Sequence, residues 1–391
     1  MLSFSEALQI VLGAARPLDA EKVALRECLG RVLAEDVVSD IDMPPFDKSA
    51  MDGYACRRAD IRNPLESVEV IPAGIKPQRT LGKNQCAKIM TGAPVPEGAD
   101  CVLMVEQTRL DPGGRVLFLG KEADHHIFFK GGDVRAGEVV LRRFGKIGPQ
   151  HVAILATVGK VQPLVSRRPK VGVIATGDEL VEPSQFPPPF SIRNSNSYQL
   201  CAQVRAADSI PTYYGIAKDR DEEIDTRLKQ ALKENDVVLL SGGVSMGDFD
   251  LTPEIMKRNG IDIRFDSIAI KPGKPTHFGV AEGACCFGLP GNPVSAFLQF
   301  EILVKPFLYK LMGHDLRILH TTAVLEQDVS VRPSDRESWI PVSLVSGNRA
   351  MPLTYHGSAH INAMAEADGF IVIPVGSTGL SRGTTVRVRH L

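Results

Sequence analysis

Excess charge of either sign is what this sequence lacks: 45 Lys and Arg side chains stand against 46 Asp and Glu, a formal net charge of −1. That balance supplies no long-range field for gathering nucleic acid or an anionic membrane, so a general polyanion binder is excluded. No stretch approaches the ~18 apolar residues a membrane-spanning helix needs. Residues 1–12 contain no Lys or Arg and place Glu6 inside the apolar run, which is not the pattern of an export signal. Cysteine is sparse and badly spaced for chemistry: Cys28, Cys56, Cys86, Cys101, Cys201, Cys285 and Cys286 form an odd set with no C-x-x-C. Neither a zinc knuckle nor a disulfide framework is expected, and buried thiols in a reducing cytoplasm are. What is present is 391 residues, enough for two to four compact units at ~150 residues each. The 35 Gly and 27 Pro beside 43% hydrophobic residues suit a loop-rich globular enzyme rather than a disordered chain.

Local patterns divide the chain. Ser3 and Glu6 fit a capping box, and Ala7, Leu8, Val11, Leu12 and Ala15 share one face, so a first amphipathic helix is predicted, ended by Pro17. A second helical stretch is predicted from Ala24 to Ala34. It runs into DMPPFDKSAMDGYA at 42–55, where Pro44 and Pro45 forbid a helix. From about 55 to 140, short apolar runs separated by Gly and Pro read as a small all-β module. Beyond Pro169 the pattern becomes strand and helix in alternation: VGVIA at 171–175, a helix at 196–208, YYGIA at 213–217, a helix at about 220–234 with Ile224, Leu228 and Leu232 on one stripe, and VVLL at 237–240. This predicts a parallel, doubly wound sheet covered on both faces. Its last helix is expected to begin at Pro293, capped by Asn292, and to end near Gly313. Residues 317–391 return to short alternating runs, a terminal β domain.

Ligands of open α/β sheets sit beyond the carboxyl ends of the strands. Three loops there are rich in glycine: TGDEL at 176–180, SGGVSMGDFD at 241–250 and LPGNPVSA at 289–296. Each is read as strand, glycines, then helix, which lets backbone N–H groups approach an anionic or phosphorylated ligand. A tight turn without a ligand is the alternative for any single loop; three in one sheet point to a site. Glu179, Asp219 and Asp250 follow successive strands, while Lys271 and Lys274 sit in IKPGKP, stiffened by Pro272 and Pro275. Paired cations suit a multiply charged oxyanion, and carboxylates in the same cleft call for a hard cation such as Mg2+ between them and a phosphate. For Asp219 the competing reading is an ordinary helix cap in DRDEE. No Ser-His or Cys-His arrangement accompanies these motifs, so positioning and electrostatics are expected rather than covalent catalysis. His356 and His360 lie four apart, but Gly357 weakens a helix between them.

FDKSAMDGYA (46–55), IMTGAPVPEGADCVLMVE (89–106), GDVRAGEVVL (132–141), TGDELVEP (176–183), SNSYQL (195–200), SGGVSMGDFD (241–250), KPGKPTHFG (271–279) and GLPGNPVSA (288–296) together resemble the molybdopterin molybdenumtransferase family, the MoeA proteins and the gephyrin E domain. The resemblance runs from about residue 5 to the end. It implies a multidomain α/β plus β fold: an N-terminal dimerisation domain of 1–52 with 141–167, an inserted β domain 53–140, an α/β molybdopterin-binding domain 168–316 and a C-terminal β domain 317–391. It also implies Mg2+-dependent insertion of molybdate into adenylylated molybdopterin with release of AMP, in a homodimer whose site lies between subunits. The upstream adenylyltransferase is a further implied partner; nucleic acid and membrane are not.

Carried over residue by residue, Asp52 and Thr91 match functional positions that would reach the partner's cleft. Glu179, Asp219 and Asp250 match the acidic positions, Asp219 and Asp250 being assigned to Mg2+ or the adenylate phosphate. Gly242 and Gly243 would cradle the pterin phosphate, with Ser245, Pro290 and Pro293 counted among the cofactor-binding positions. Lys271, Lys274, Ser295, Arg336 and Ser358 match positions associated with molybdate. Lys48 stands where many relatives have Asn and adds a cation near Asp52. A molybdopterin adenylyltransferase and a non-catalytic scaffold of gephyrin type are the rival readings; the first is opposed by the SAMDGYA segment, the second by the intact charged loops.

Overall fold

The computed structural model describes residues 1–243 and 252–391. Helix α1 (Phe4–Gly13) starts on the predicted capping box: the Ser3 hydroxyl accepts from Glu6 N at 3.3 Å while the Glu6 carboxylate accepts from Ser3 N at 2.9 Å. Its Ala7 and Val11 are buried against the large α/β core. The helix stops at Gly13, before Pro17 is reached.

The expected helix over 24–34 does not form. Only a single 3-10 turn, Leu25–Glu27, is present. Tertiary pairing overrides the local pattern here: Leu33 N donates to Gly145 O (3.0 Å) and Ala34 N to Leu164 O (2.9 Å), and Gly30 turns the chain at φ +80°. Val32 and Leu33 consequently enter two different cores instead of one helical stripe, Leu33 sharing its core with Leu155 of α2 (Pro149–Thr157).

The inserted β module is a four-stranded sheet in the order Glu66–Ile71, Gln85–Ile89, Gly53–Cys56, Cys101–Met104. Strand alternation sends Tyr54 and Cys56 into one core and Ala55 into another on the opposite face.

In the α/β domain the sheet order is Ile210–Ala217, Lys170–Thr176, Val237–Ser241, Cys285–Leu289, Pro275–Val280, Asp262–Ser267. The first four strands are parallel, Pro275–Val280 runs against them, and Asp262–Ser267, antiparallel to it, runs with them again, so the sheet is mixed where a parallel one was expected. Both faces are covered. Val171, Val173, Val237 and Leu239 pack with Leu200 and Val204 of α3 (Asn196–Ala206), whereas Ile174, Val238 and Leu240 pack with Ile224 and Leu228 of α4 (Asp221–Glu234). The final helix runs as predicted from Pro293 towards Gly313, but in three parts: a regular Pro293–Gln299, a wider turn with i→i+5 bonding at Phe300–Val304, and Lys305–Leu311. Phe307 there closes an aromatic cluster with Phe278 and Phe287, ring centroids 6.0 and 5.6 Å away.

The C-terminal domain is a sheet closed on itself. Glu337–Val345, Arg349–Pro352, His320–Leu325, Thr385–His390 and Gly369–Ile373 pair in that order, and the last pairs again with the first. One short strand of the α/β domain, Ile270–Lys271, extends this sheet by pairing in parallel with Glu337 and Ser338. That pairing stitches the KPGKP loop to the terminal domain.

Candidate functional site

Two strand ends of the α/β sheet are drawn together by one side chain. Asn196, at the start of α3, donates through Nδ2 to Ser241 Oγ (2.9 Å) and to Gly291 O (2.8 Å). The middle strand continues into Gly242 at φ +99°, where a Cβ would lie 2.5 Å from Thr176 O and 2.9 Å from its hydroxyl oxygen. Only glycine lets these two loops meet so closely. A Gly242→Ala variant is therefore expected to lose up to about 100-fold in turnover through displacement of the loop, read by steady-state rates beside a thermal unfolding curve.

The loops enclose a cleft of about 690 Å3, lined among others by Glu179, Asp219, Gly242, Gly243, Pro290 and Pro293. Thr176, 3% exposed, lines its floor with a hydroxyl that has no partner among the described residues. Asp219 is no helix cap; Arg220 takes that position. The Asp219 carboxylate instead accepts from Asp178 N (3.3 Å), and Asp219 N donates back to the Asp178 carboxylate (3.3 Å). Burial holds the Asp219 carboxyl above the usual carboxylate range; the Asp178 N–H opposes this and the Asp178 charge adds to it. One loop departs from the expected strand-glycine-helix order: TGDEL passes into a two-residue strand, Leu180–Val181, paired with Ile192–Arg193, before α3 begins.

A second cleft, of about 660 Å3, shares Pro275, Pro290 and Asn292 with the first. Lys271, Lys274, Ser295, Arg336 and Ser358 all line it, so the structure brings these five sequence candidates together. Arg332 joins them, and among the described lining residues there is no Asp or Glu. Such a concentration of one sign suits a tetrahedral dianion. The KPGKP loop is held from beneath: Gly273 O accepts from Thr276 Oγ1 (3.0 Å) and from Gln299 Nε2 (2.9 Å). Ser358 is fixed twice, its carbonyl accepting from Val294 N (3.0 Å) and its hydroxyl from Asn292 Nδ2 (2.8 Å). Asn292 holds the predicted N-cap position of the helix at Pro293, but its side chain makes no capping bond and instead bridges the two domains. Among the described residues the Arg336 guanidinium has one loose carboxylate contact, 3.9 Å to the exposed Asp335, which leaves it available to the cleft.

Asp52 and Thr91 belong together but line neither cleft of their own chain. Asp52 Oδ1 accepts from Thr91 N (2.6 Å) and Thr91 Oγ1 (2.7 Å), and these bonds hold the carboxyl below its usual range. Lys48 lies over the Phe128 ring, 5.6 Å from its centroid. Asp250 and Ser245 lie outside the described residues. The sequence reading missed Asn196 as the clasp of the loops, although SNSYQL was noted, and missed Arg332 and Tyr355. Arg332 stands four residues before Arg336 in RPSDR, a repeated basic signal. Tyr355 gives no such signal; its hydroxyl is buried without a partner among the described residues, and burial pushes it up to about 12.

Three family models match in chain order: the MoeA N-terminal region (domain I and II) over residues 2–159, a probable molybdopterin binding domain over 172–310, and the MoeA C-terminal region (domain IV) over 323–391. Molybdopterin molybdenumtransferase of Bacillus subtilis (strain 168) is 36% identical over 397 residues, covering 98% of this chain and 92% of the relative. That of Staphylococcus epidermidis is 35% identical over 400 residues, covering 99% and 95%. Among solved structures, the molybdopterin biosynthesis moeA protein of Pyrococcus horikoshii OT3 superposes over all of both chains with a TM-score of 0.87 at 33% identity. With its α/β fold, terminal β domain and ordered loops matching from end to end, the chain belongs to the molybdopterin molybdenumtransferase (MoeA) family, transferases of molybdenum cofactor biosynthesis.

Proposed function

We propose that the protein inserts molybdate into adenylylated molybdopterin, with Mg2+ bound and AMP released, as the last step of molybdenum cofactor assembly. The observation that carries this reading is the pairing of two adjoining clefts, one with glycine loops and carboxylates, the other with cations alone. The glycine loops at Gly242 and Gly243 offer backbone N–H groups to a phosphate, and the cationic cleft offers ammonium, guanidinium and hydroxyl donors to the oxyanion. The shared wall of Pro275, Pro290 and Asn292 would let one extended ligand end where the other begins.

The donor set fits Mg2+. Glu179 and Asp219 bring hard carboxylate oxygens to the same cleft, and the raised Asp219 carboxyl, with Asp178 beside it, has the charge of Lys218 near it but no ion pair within 4 Å among the described residues, a place a divalent cation would take. No group of three or more donors is preassembled among the described residues, so two carboxylates and substrate oxygens would share the coordination. Bound there, Mg2+ would neutralise phosphate charge next to the bond that releases AMP. Lys271 and Lys274 would hold molybdate against the dithiolene sulfurs, and Ser295, Arg336 and Ser358 would fix its orientation. Nothing in this scheme needs a covalent enzyme intermediate; the rate gain comes from holding two reactants in register.

A second copy of the chain would complete the site, since Asp52 and Thr91 stand apart from both clefts of their own protomer. The test is AMP release from adenylylated molybdopterin with molybdate or Mg2+ omitted in turn. Release is expected only with both present. Equal release without molybdate would overturn the coupling, and ATP consumption with free molybdopterin would favour an adenylyltransferase instead.

A further inference from the structure

The inserted β module contains a feature that the clefts do not use. Three of its four strands each bring one cysteine to the same level: Cys56 is the register partner of Cys86 on one side and of Cys101 on the other. Directly opposed residues of neighbouring strands point to the same face, and all three thiols are fully buried in one apolar cluster with Leu65 and Val116. The Cys56 and Cys101 sulfurs are 3.7 Å apart, in contact. A disulfide requires about 2.05 Å, so the pair must close by roughly 1.7 Å. Among the described residues Cys101 lies on the outermost strand of this sheet, whose other side is held by one backbone bond, Val102 N to His125 O (3.0 Å), rather than by a further strand. By contrast, Cys285 and Cys286 are adjacent in sequence but enter cores on opposite faces of their sheet.

We propose that Cys56 and Cys101 are a thiol oxidation site, converted by hydrogen peroxide into a reversible cross-strand disulfide. The Cys101 thiolate attacks one peroxide oxygen, the O–O bond breaks, and water leaves after taking up a proton, giving a sulfenic acid. The Cys56 sulfur then attacks that sulfur, the S–O bond breaks, and the departing hydroxide takes the Cys56 proton as a second water. Two thiols and one peroxide give one disulfide and two waters, with two electrons passing from sulfur to oxygen. Either sulfur can donate to the other, so their contact favours the thiolate on one member of the pair while its neighbour keeps its proton, against the burial that disfavours charge on both. Burial pushes the third thiol, Cys86, up to about 12, which leaves it a bystander.

The bond would act on the site already described. The Cys56 strand begins immediately after Asp52, Val105 N at the end of the Cys101 strand donates to Asp52 O (3.1 Å), and the Cys86 strand leads to Thr91. Drawing the outer strand inward therefore shifts the platform on which Asp52 and Thr91 meet. This inference stands independently of the substrate assigned to the clefts.

The experiment treats the full-length protein with hydrogen peroxide, alkylates the remaining thiols, and maps the peptides by mass spectrometry before and after dithiothreitol. The expected result is loss of two of the seven free thiols, a mass lower by two hydrogens, and a Cys56–Cys101 linked peptide that dithiothreitol removes. Cys86→Ala should keep the link and Cys101→Ala should abolish it; the wild-type map decides the question even if a variant fails to fold. Seven alkylated thiols after peroxide, a link between any other pair, or oxidation confined to sulfinic acid without a link would overturn the proposal.

Discussion

Replacing Lys274 by alanine is expected to lower molybdate-dependent AMP release by about two to three orders of magnitude, the usual effect of deleting one preorganised donor to developing or multiple negative charge. Lys274 is anchored by a loop whose central carbonyl, that of Gly273, is held by Gln299 and Thr276. The backbone that carries it is thereby fixed, and its exposed side chain lines the cleft. No carboxylate among the described residues lines that cleft, so no internal ion pair competes with the incoming oxyanion. The loss should appear in the dependence of initial rate on molybdate concentration. Binding of adenylylated molybdopterin, measured without molybdate, should hardly change because the glycine loops are untouched. Lys274→Arg should recover part of the activity by restoring the charge with a different geometry.

A mixture of two inactive variants should regain activity. If Asp52 and Thr91 act in the partner's cleft, Asp52→Ala and Lys274→Ala each damage every site of their own homodimer. In the mixed dimer one site receives both changes and the other receives neither. Random reassortment at equal concentrations then yields about a quarter of the wild-type rate per subunit. Separate purification of the mixed species, by two different affinity tags, should raise this to about half. Recovery that never exceeds the sum of the two variants would place Asp52 outside the partner's site. The measurement is a rate assay before and after mild dissociation and reassembly.

Local sequence carried the features that are themselves local. The capping box at Ser3 and Glu6, the stripe of α4, and the β-branched strands of the α/β sheet all depend on spacing within one element, and all are present. The segment 24–34 misled because its apolar residues serve two separate cores, a division made by chains more than a hundred residues away. The direction of Pro275–Val280 was equally hidden, since a strand's apolar pattern reads the same whichever way it runs. In the candidate site, the lysines were legible because IKPGKP is an unusual string, whereas Ser295 and Ser358 were named only through the family resemblance. Asn196 and Asn292 were not named as clasps: their partners, Gly291 O and Ser358 Oγ, are 95 and 66 residues distant. Arg332, signalled in the sequence by no more than its spacing from Arg336, lines the cleft beside the KPGKP loop, which the strand Ile270–Lys271 joins to the terminal sheet.

A crystal structure with adenylylated molybdopterin and molybdate tests the two-cleft account most directly. The phosphate is expected at Gly242 and Gly243, the oxyanion among Lys271, Lys274, Arg336 and Ser358, and the dithiolene end of the ligand at the shared wall of Pro275, Pro290 and Asn292. An oxyanion bound away from both lysines, or a nucleotide that leaves the glycine loops empty, would contradict it.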